Sequence, residues 1–327
     1  MYKAFYKLAR NPFDLTPDPS YFVSTTRHNE ALAALHYGIR KHKGFVVVTG
    51  EVGTGKTLLL RCLLRLLKES KDVVYAYLFN SRLSPTEFLQ YILSDFGLPT
   101  SGKNKGELLL ELGQFVVSRG AKGLTTVLIV DEAHHMTADL LEEVRLLSNL
   151  ETVDDKLLQI VLVGQSELDE ALDSVGLRQL KQRIAVRARL TPLSTDETAE
   201  YIEHRLQVAG LQAPVETLFP PETIAAVYYH SHGVPRLINT LCENSLITAY
   251  ARQMPVITAE VVDDVAREFH LETTLLPGAE GGVGEVDREK ATQVLRDLYS
   301  VLRRTGARGA EAAVPIGIEA SEYEPNL

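Results

Sequence analysis

The residues best suited to do chemistry in this 327-residue chain are Gly50-Glu51-Val52-Gly53-Thr54-Gly55-Lys56-Thr57, followed by Leu58. Their spacing is G-x-x-x-x-G-K-[ST], the phosphate-binding P-loop. The glycines let the backbone curl so that its N–H groups turn inward onto phosphate oxygens. A helix starting at the lysine adds the partial positive charge of its N-terminus. Lys56 would reach the β- and γ-phosphates of a nucleoside triphosphate, and the Thr57 hydroxyl would hold Mg²⁺.

A second constellation supports the first. Thr126-Val127-Leu128-Ile129-Val130 is a short apolar run that ends in Asp131-Glu132. A parallel strand ends at the ligand-binding edge of its sheet, so these carboxylates are expected beside the P-loop. Asp131 would then hold the Mg²⁺ shell and Glu132 would orient and activate an attacking water. Gln165 closes the next apolar run, Leu157–Gly164, and is placed to sense the γ-phosphate or the lytic water. His134 and His135 lack further ligands at metal-binding spacing and read as polar residues at a helix start.

These groups need a scaffold, and the hydrophobic pattern supplies one. Phe45–Thr49 reads as a buried parallel strand and Leu58–Lys68 as a helix with a broad apolar face. Further strands are predicted at Val73–Phe79 and at Ile184–Leu190, the latter alternating with Arg187 and Arg189 outward. Helices are predicted from a cap at Thr26 through Lys41, after Ser84-Pro85-Thr86-Glu87, over Glu107–Arg119 and over Leu140–Leu150. From Ser194 the pattern changes to short helices only: Thr198–Ala209, Pro221–Ser231, Pro235–Arg252 and Thr258–Phe269. Gly233-Val234-Pro235-Arg236 opens the third of these, with Arg236 directed back toward the phosphates. Arg178, Lys181, Arg183, Arg187 and Arg189 form a basic stretch, suited either to a neighbouring subunit's nucleotide site or to a polyanion.

The fold class read from this is α/β: a parallel sheet with helices on both faces, then a small all-α lid, then a flexible tail. The expected divisions are 1–26, an aromatic-rich segment packing on the core; 27–193, the nucleotide-binding domain; 194–271, the lid; and 272–327, a glycine-rich linker, an amphipathic helix at 286–304 and a disordered tail. The formal net charge of −9 excludes a chain that is basic throughout, although a local basic face remains compatible with it. Hydrophobic residues at 45% and charged residues at 24% are ordinary for a globular protein. Cys62 and Cys242 read as buried free thiols in a reducing compartment. No run has the length of a membrane span and the N-terminus lacks an apolar signal region. The expected location is therefore the cytoplasm, with docking on the inner membrane through a partner.

Together with Asn11-Pro12-Phe13, Arg27-His28-Asn29-Glu30-Ala31-Leu32, Leu146–Glu151, Leu177–Arg183 and Gly233–Asn239, these motifs resemble the ExeA/GspA-type AAA+ ATPases over about residues 2–272. The resemblance implies ATP bound with Mg²⁺ between subunits of a ring or helical oligomer. It implies Gln165 as sensor 1, Arg236 as sensor 2, and Arg178 or Arg183 as the arginine finger. Full-length members carry a membrane span and a peptidoglycan-binding region after the ATPase part, and neither pattern occurs here, which counts against a cell-wall role. His134-His135 stand where the family has Gln-Asn. Three functions follow as expectations: an ATPase powering or regulating assembly of an envelope secretion, pilus or polysaccharide-export system through a protein partner; a DNA-binding regulator of the MuB/TnsC transposition type, contacting duplex DNA through residues 178–189; and a nucleotide-gated scaffold with slow hydrolysis.

Overall fold

The computed structural model describes residues 1–79, 82–152 and 155–271. Five parallel strands, β1 Phe45–Gly50, β2 Val73–Leu78, β3 Thr125–Val130, β4 Leu158–Gly164 and β5 Ile184–Leu190, form one sheet in the order β2-β3-β4-β1-β5. The three inner strands are buried along their whole length, which is why they read as unbroken apolar runs. β5 is an edge strand, and Arg187 and Arg189 on its outward face are exposed. At the other edge, the Tyr77 N–H of β2 donates to the Asp95 carboxylate at 2.6 Å, which occupies a backbone donor that would otherwise invite another strand.

Helices lie on both faces. α2 (Thr26–Arg40) and α3 (Lys56–Glu69) cover one, and α2 lies so close that a Cβ on Gly38 would collide with Val46 of β1. α4 (Pro85–Asp95), α5 (Lys105–Gly120) and α6 (Ala138–Leu147) bury Phe88, Leu112 and Val144 against Phe45, Leu128 and Ile160 on the other. Capping boxes at Ser84/Glu87 and Asn104/Glu107 start α4 and α5. Asn104 begins α5 two residues earlier than the apolar pattern indicates. Thr25, not Thr26, caps α2 by accepting from the His28 N–H. Short helices α7 (Ser166–Asp173) and α8 (Arg178–Lys181) connect β4 to β5.

A second hydrophobic cluster is built by α9 (Thr195–Val208), α10 (Pro221–Ser231), α11 (Pro235–Ala251) and α12 (Ala259–Glu268). The first half of the N-terminal segment departs from expectation here, whereas Pro17 and Phe22 contact α3 and α2. Tyr2, Tyr6, Leu8 and Phe13, the first two on or just after the short helix α1 (Tyr2–Phe5), belong to this helical cluster rather than to the core around the sheet. The reason is polar as much as apolar. The Tyr2 hydroxyl donates to Glu243, the Tyr6 hydroxyl to the Met254 carbonyl, and the backbone of Ala9 to the Ala209 carbonyl.

Arg205 completes the attachment. It is buried, donates to the carbonyls of Pro12 (2.5 Å) and Asp14 (3.1 Å) and to the Tyr201 hydroxyl (2.7 Å), and lies 4.6 Å from the centre of the Tyr21 ring. The expected linker, the helix at 286–304 and the tail lie outside the described residues. Because Arg205 satisfies two buried acceptors and a third that is part-buried, Arg205→Met is expected to lose about 2–4 kcal/mol of stability. Thermal unfolding checks this, and trypsin cleavage after Lys7 or Arg10 should accelerate in the same variant.

Candidate active site

The strand β1 ends in the P-loop and α3 begins at Lys56, so the loop spans a single strand-to-helix turn. Gly53 and Gly55 take φ of +83° and +98°, a region that side-chain-bearing residues rarely adopt. Several of the loop's carbonyls are engaged. Lys56 Nζ donates to the carbonyls of Gly50 (2.7 Å) and Glu51 (2.9 Å). The Arg236 N–H, at the start of α11, donates to the Gly53 carbonyl at 3.2 Å. The Glu51 carboxylate accepts from the Ser166 hydroxyl at 2.6 Å, which ties the loop to α7.

A cavity of about 350 Å³ opens on this loop. Val52, Gly53, Gly55, Lys56, Thr57 and Leu58 line it, together with Glu132, Gln165 and Arg236. Four separate stretches of the sequence thus meet at one place. Gly50, Glu51 and Thr54 do not line it, and the buried Asp131 stands next to Glu132 at the end of β3. Arg178 and Arg183 do not line the cavity. Arg178 is exposed, whereas Arg183 donates to the Ser148 hydroxyl at 2.5 Å and so holds the C-terminal end of α6.

The electrostatics are those of a buried, mixed-charge site. Burial pushes the Lys56 amine below its usual range, opposed by Glu132, Asp131 and Glu51. Burial pushes the Asp131 carboxyl up, while its two oxygens accept from the Glu132 N–H (2.8 Å) and the Tyr77 hydroxyl (2.9 Å). Glu132 has a left-handed backbone, φ +50°, a conformation that a residue of this type adopts only where its surroundings impose it. Burial and the neighbouring His135 hold the His134 imidazole below its usual range. Its Nδ1 lies 3.4 Å from both the Gln165 backbone nitrogen and a Glu132 carboxylate oxygen, which links the end of β3 to the end of β4.

The remaining lining comes from parts of the chain to which motif reading assigns no role. Asp14, Thr16, Asp18, Tyr21 and Phe22 form one wall, and Tyr201, Arg205 and Asn239 of the helical cluster another. The Arg205 guanidinium, the Tyr201 hydroxyl and the Asn239 carbonyl oxygen form a relay of hydrogen bonds at 2.7 and 3.0 Å. His28, which lines the same cavity beside Thr25, is another residue to which motif reading assigns no role. Its position in the series 28, 32, 35, 39 along the buried face of α2 was the available signal.

Known proteins resemble this chain in sequence and in fold. A family model described as an AAA domain matches residues 39–172. General secretion pathway protein A of Aeromonas hydrophila is 44% identical over 253 residues, 77% of this chain and 45% of that protein. The ATP-dependent target DNA activator B of Escherichia phage Mu is 26% identical over 178 residues, 53% of each chain. The chain therefore spans about half the length of these two relatives. The ORC2 protein of Aeropyrum pernix, solved as ADPNP–ADP complexes, superposes with a TM-score of 0.59 at 18% identity, covering 81% of this chain and 75% of that one. The fold is that of the AAA P-loop NTPases, and over its AAA part the chain belongs to the ExeA/GspA-type AAA ATPases, the family of general secretion pathway protein A.

Proposed function

We propose that this chain binds ATP with Mg²⁺ in the P-loop cavity, hydrolyses it, and uses the cycle to power or regulate assembly of a bacterial envelope system for secretion, pilus formation or polysaccharide export. The observation that carries the ATPase reading is the convergence of Lys56, Thr57, Glu132, Gln165 and Arg236 on one cavity. Thr57 and Asp131 would hold Mg²⁺. Both offer the hard oxygen ligands this ion takes, and when bound it would neutralise phosphate charge. Lys56 stabilises the same charge from the protein side. Glu132, with its main chain fixed by the bond to Asp131, takes the proton of an attacking water that Gln165 helps to position. Arg236 acts on the phosphates from the helical lid.

Of the two candidate arginine fingers, the reading assigns Arg178. Its exposure leaves it available to a neighbour's site in a ring or filament, whereas Arg183 is committed to α6. The divisions at 1–26, 27–193 and 194–271 belong to this reading as strap, nucleotide-binding domain and lid.

The envelope role rests on the relative named for the general secretion pathway, and a partner protein of such a system is part of the proposal. The second reading, a DNA-dependent regulator, is favoured by the phage Mu relative. Against it, two cations of the basic stretch are already matched within the chain, Lys181 by Asp173 at 2.7 Å and Arg187 by Asp169 at 3.5 Å. A nucleotide-gated scaffold would keep the same residues but turn over slowly. Among the described residues no helix is long and apolar enough to cross a membrane.

Lys56→Ala is expected to abolish nucleotide binding. Glu132→Gln is expected to bind ATP normally and to lose roughly 100-fold or more in steady-state turnover. A Glu132→Gln protein that hydrolyses at the parent rate would sink the assignment of the base. Arg178→Ala should also bind but not turn over, and mixing it with Glu132→Gln should restore part of the activity, because mixed interfaces pair an intact base with an intact arginine. Adding duplex DNA to the parent should leave both the rate and the assembly, followed by light scattering, unchanged. Stimulation by DNA would give the second reading the lead.

A further inference from the structure

His28 stands outside every catalytic motif, yet it reaches the P-loop. It lies in the first turn of α2, 7% exposed, and both of its ring nitrogens are engaged. Nε2 is 3.0 Å from the carbonyl oxygen of Thr54, and Nδ1 is 2.7 Å from the Thr25 hydroxyl. A carbonyl can only accept, so Nε2 carries the proton and donates. Nδ1 then has a lone pair and accepts from the Thr25 O–H, while the Thr25 oxygen in turn accepts from the His28 backbone N–H at 3.3 Å. The neutral ring with its proton on Nε2 satisfies every one of these groups, and burial favours it by pushing the imidazole below its usual range. The edge of the Phe22 ring, 6.0 Å away centre to centre, packs against the imidazole.

The consequence lies in the geometry of one peptide. In a trans peptide the C=O and the following N–H point in opposite directions. Drawing the Thr54 carbonyl toward His28 therefore turns the Gly55 N–H the other way. Gly55 lines the cavity, and a Cβ at Gly55 would stand 3.0 Å from His28 Nε2, so the ring backs directly on the left-handed residue that precedes Lys56. We propose that His28 is a positioning residue for nucleotide: by donating Nε2–H to the Thr54 carbonyl it orients the Thr54–Gly55 peptide so that the Gly55 N–H faces the phosphates. A role confined to the core would need an apolar side chain at this point of α2, not a donor aimed at a loop carbonyl.

The inference rests on the reading that the cavity takes ATP, and one titration separates the two. A fluorescent ATP analogue is titrated into the parent, His28→Ala, His28→Gln and His28→Asn, with polarisation as the readout. Glutamine carries its amide nitrogen where Nε2 stands; asparagine is one bond too short. The expected result is that His28→Ala and His28→Asn lose roughly tenfold or more in affinity, the cost of an unsatisfied acceptor, while His28→Gln stays within about threefold of the parent. If His28→Ala does not fold, the contrast between His28→Gln and His28→Asn decides the matter alone. Equal affinity for parent and His28→Asn, or equal losses in His28→Gln and His28→Asn, overturns the role of His28 and leaves the ATP site standing. A parent that binds no analogue overturns both.

Discussion

One backbone turn has to do two incompatible things: leave a row of N–H groups unpaired for a ligand, and bury the matching carbonyls without leaving them orphaned. Between β1 and α3 the conflict is resolved by recruiting donors from elsewhere. Lys56 Nζ serves the Gly50 and Glu51 carbonyls from within the loop. The Arg236 N–H of α11 serves Gly53, and His28 of α2 serves Thr54. Each bond fixes the peptide it touches, so three helices far apart in sequence share in setting the shape of one anion cradle. The two left-handed glycines make the curl sterically permissible; the donors make it stable.

Charge follows the same logic. A buried ammonium and buried carboxylates are each unfavourable alone, and each holds the other in place. Lys56 is pushed toward neutrality by burial and drawn back by Glu132, Asp131 and Glu51. Asp131 is stabilised by two hydrogen bonds rather than by direct pairing. The result is a site in which one buried ammonium, held on two loop carbonyls, is balanced by the carboxylates around it.

The helical cluster enters this site twice. It contributes Arg236 through the start of α11, and it holds the N-terminal segment through Arg205, Tyr2–Glu243 and the Ala9–Ala209 backbone bond. That segment then forms a wall of the cavity from Asp14 to Val23. Further along, the Arg61 guanidinium of α3 donates to the Pro17 carbonyl at 2.5 Å. The wall is therefore anchored at one end to the helical cluster and at the other to the helix that follows the P-loop.

Much of this was legible without coordinates. The P-loop, the Asp131-Glu132 pair, the parallel strands and the four lid helices all depend on local pattern: hydrophobic period, caps and glycine spacing, which neighbours in sequence enforce directly. Strand order was not legible, because five strands of similar apolar composition pair by long-range packing. Nor was the seat of Tyr2, Tyr6 and Phe13. Rings in a loop declare that they will be buried but not against what, and the choice fell to Glu243, Met254 and Arg205, some 190 to 250 residues away in sequence. Arg178 and Arg183 look alike in the sequence, and only the position of Ser148 separates one that is tied down from one that is exposed. His28 shows the division in a single residue. Its place on the apolar stripe of α2 follows from helical period, but the carbonyl it holds is set by how α2 and the P-loop pack across the sheet, and that is a property of tertiary structure alone.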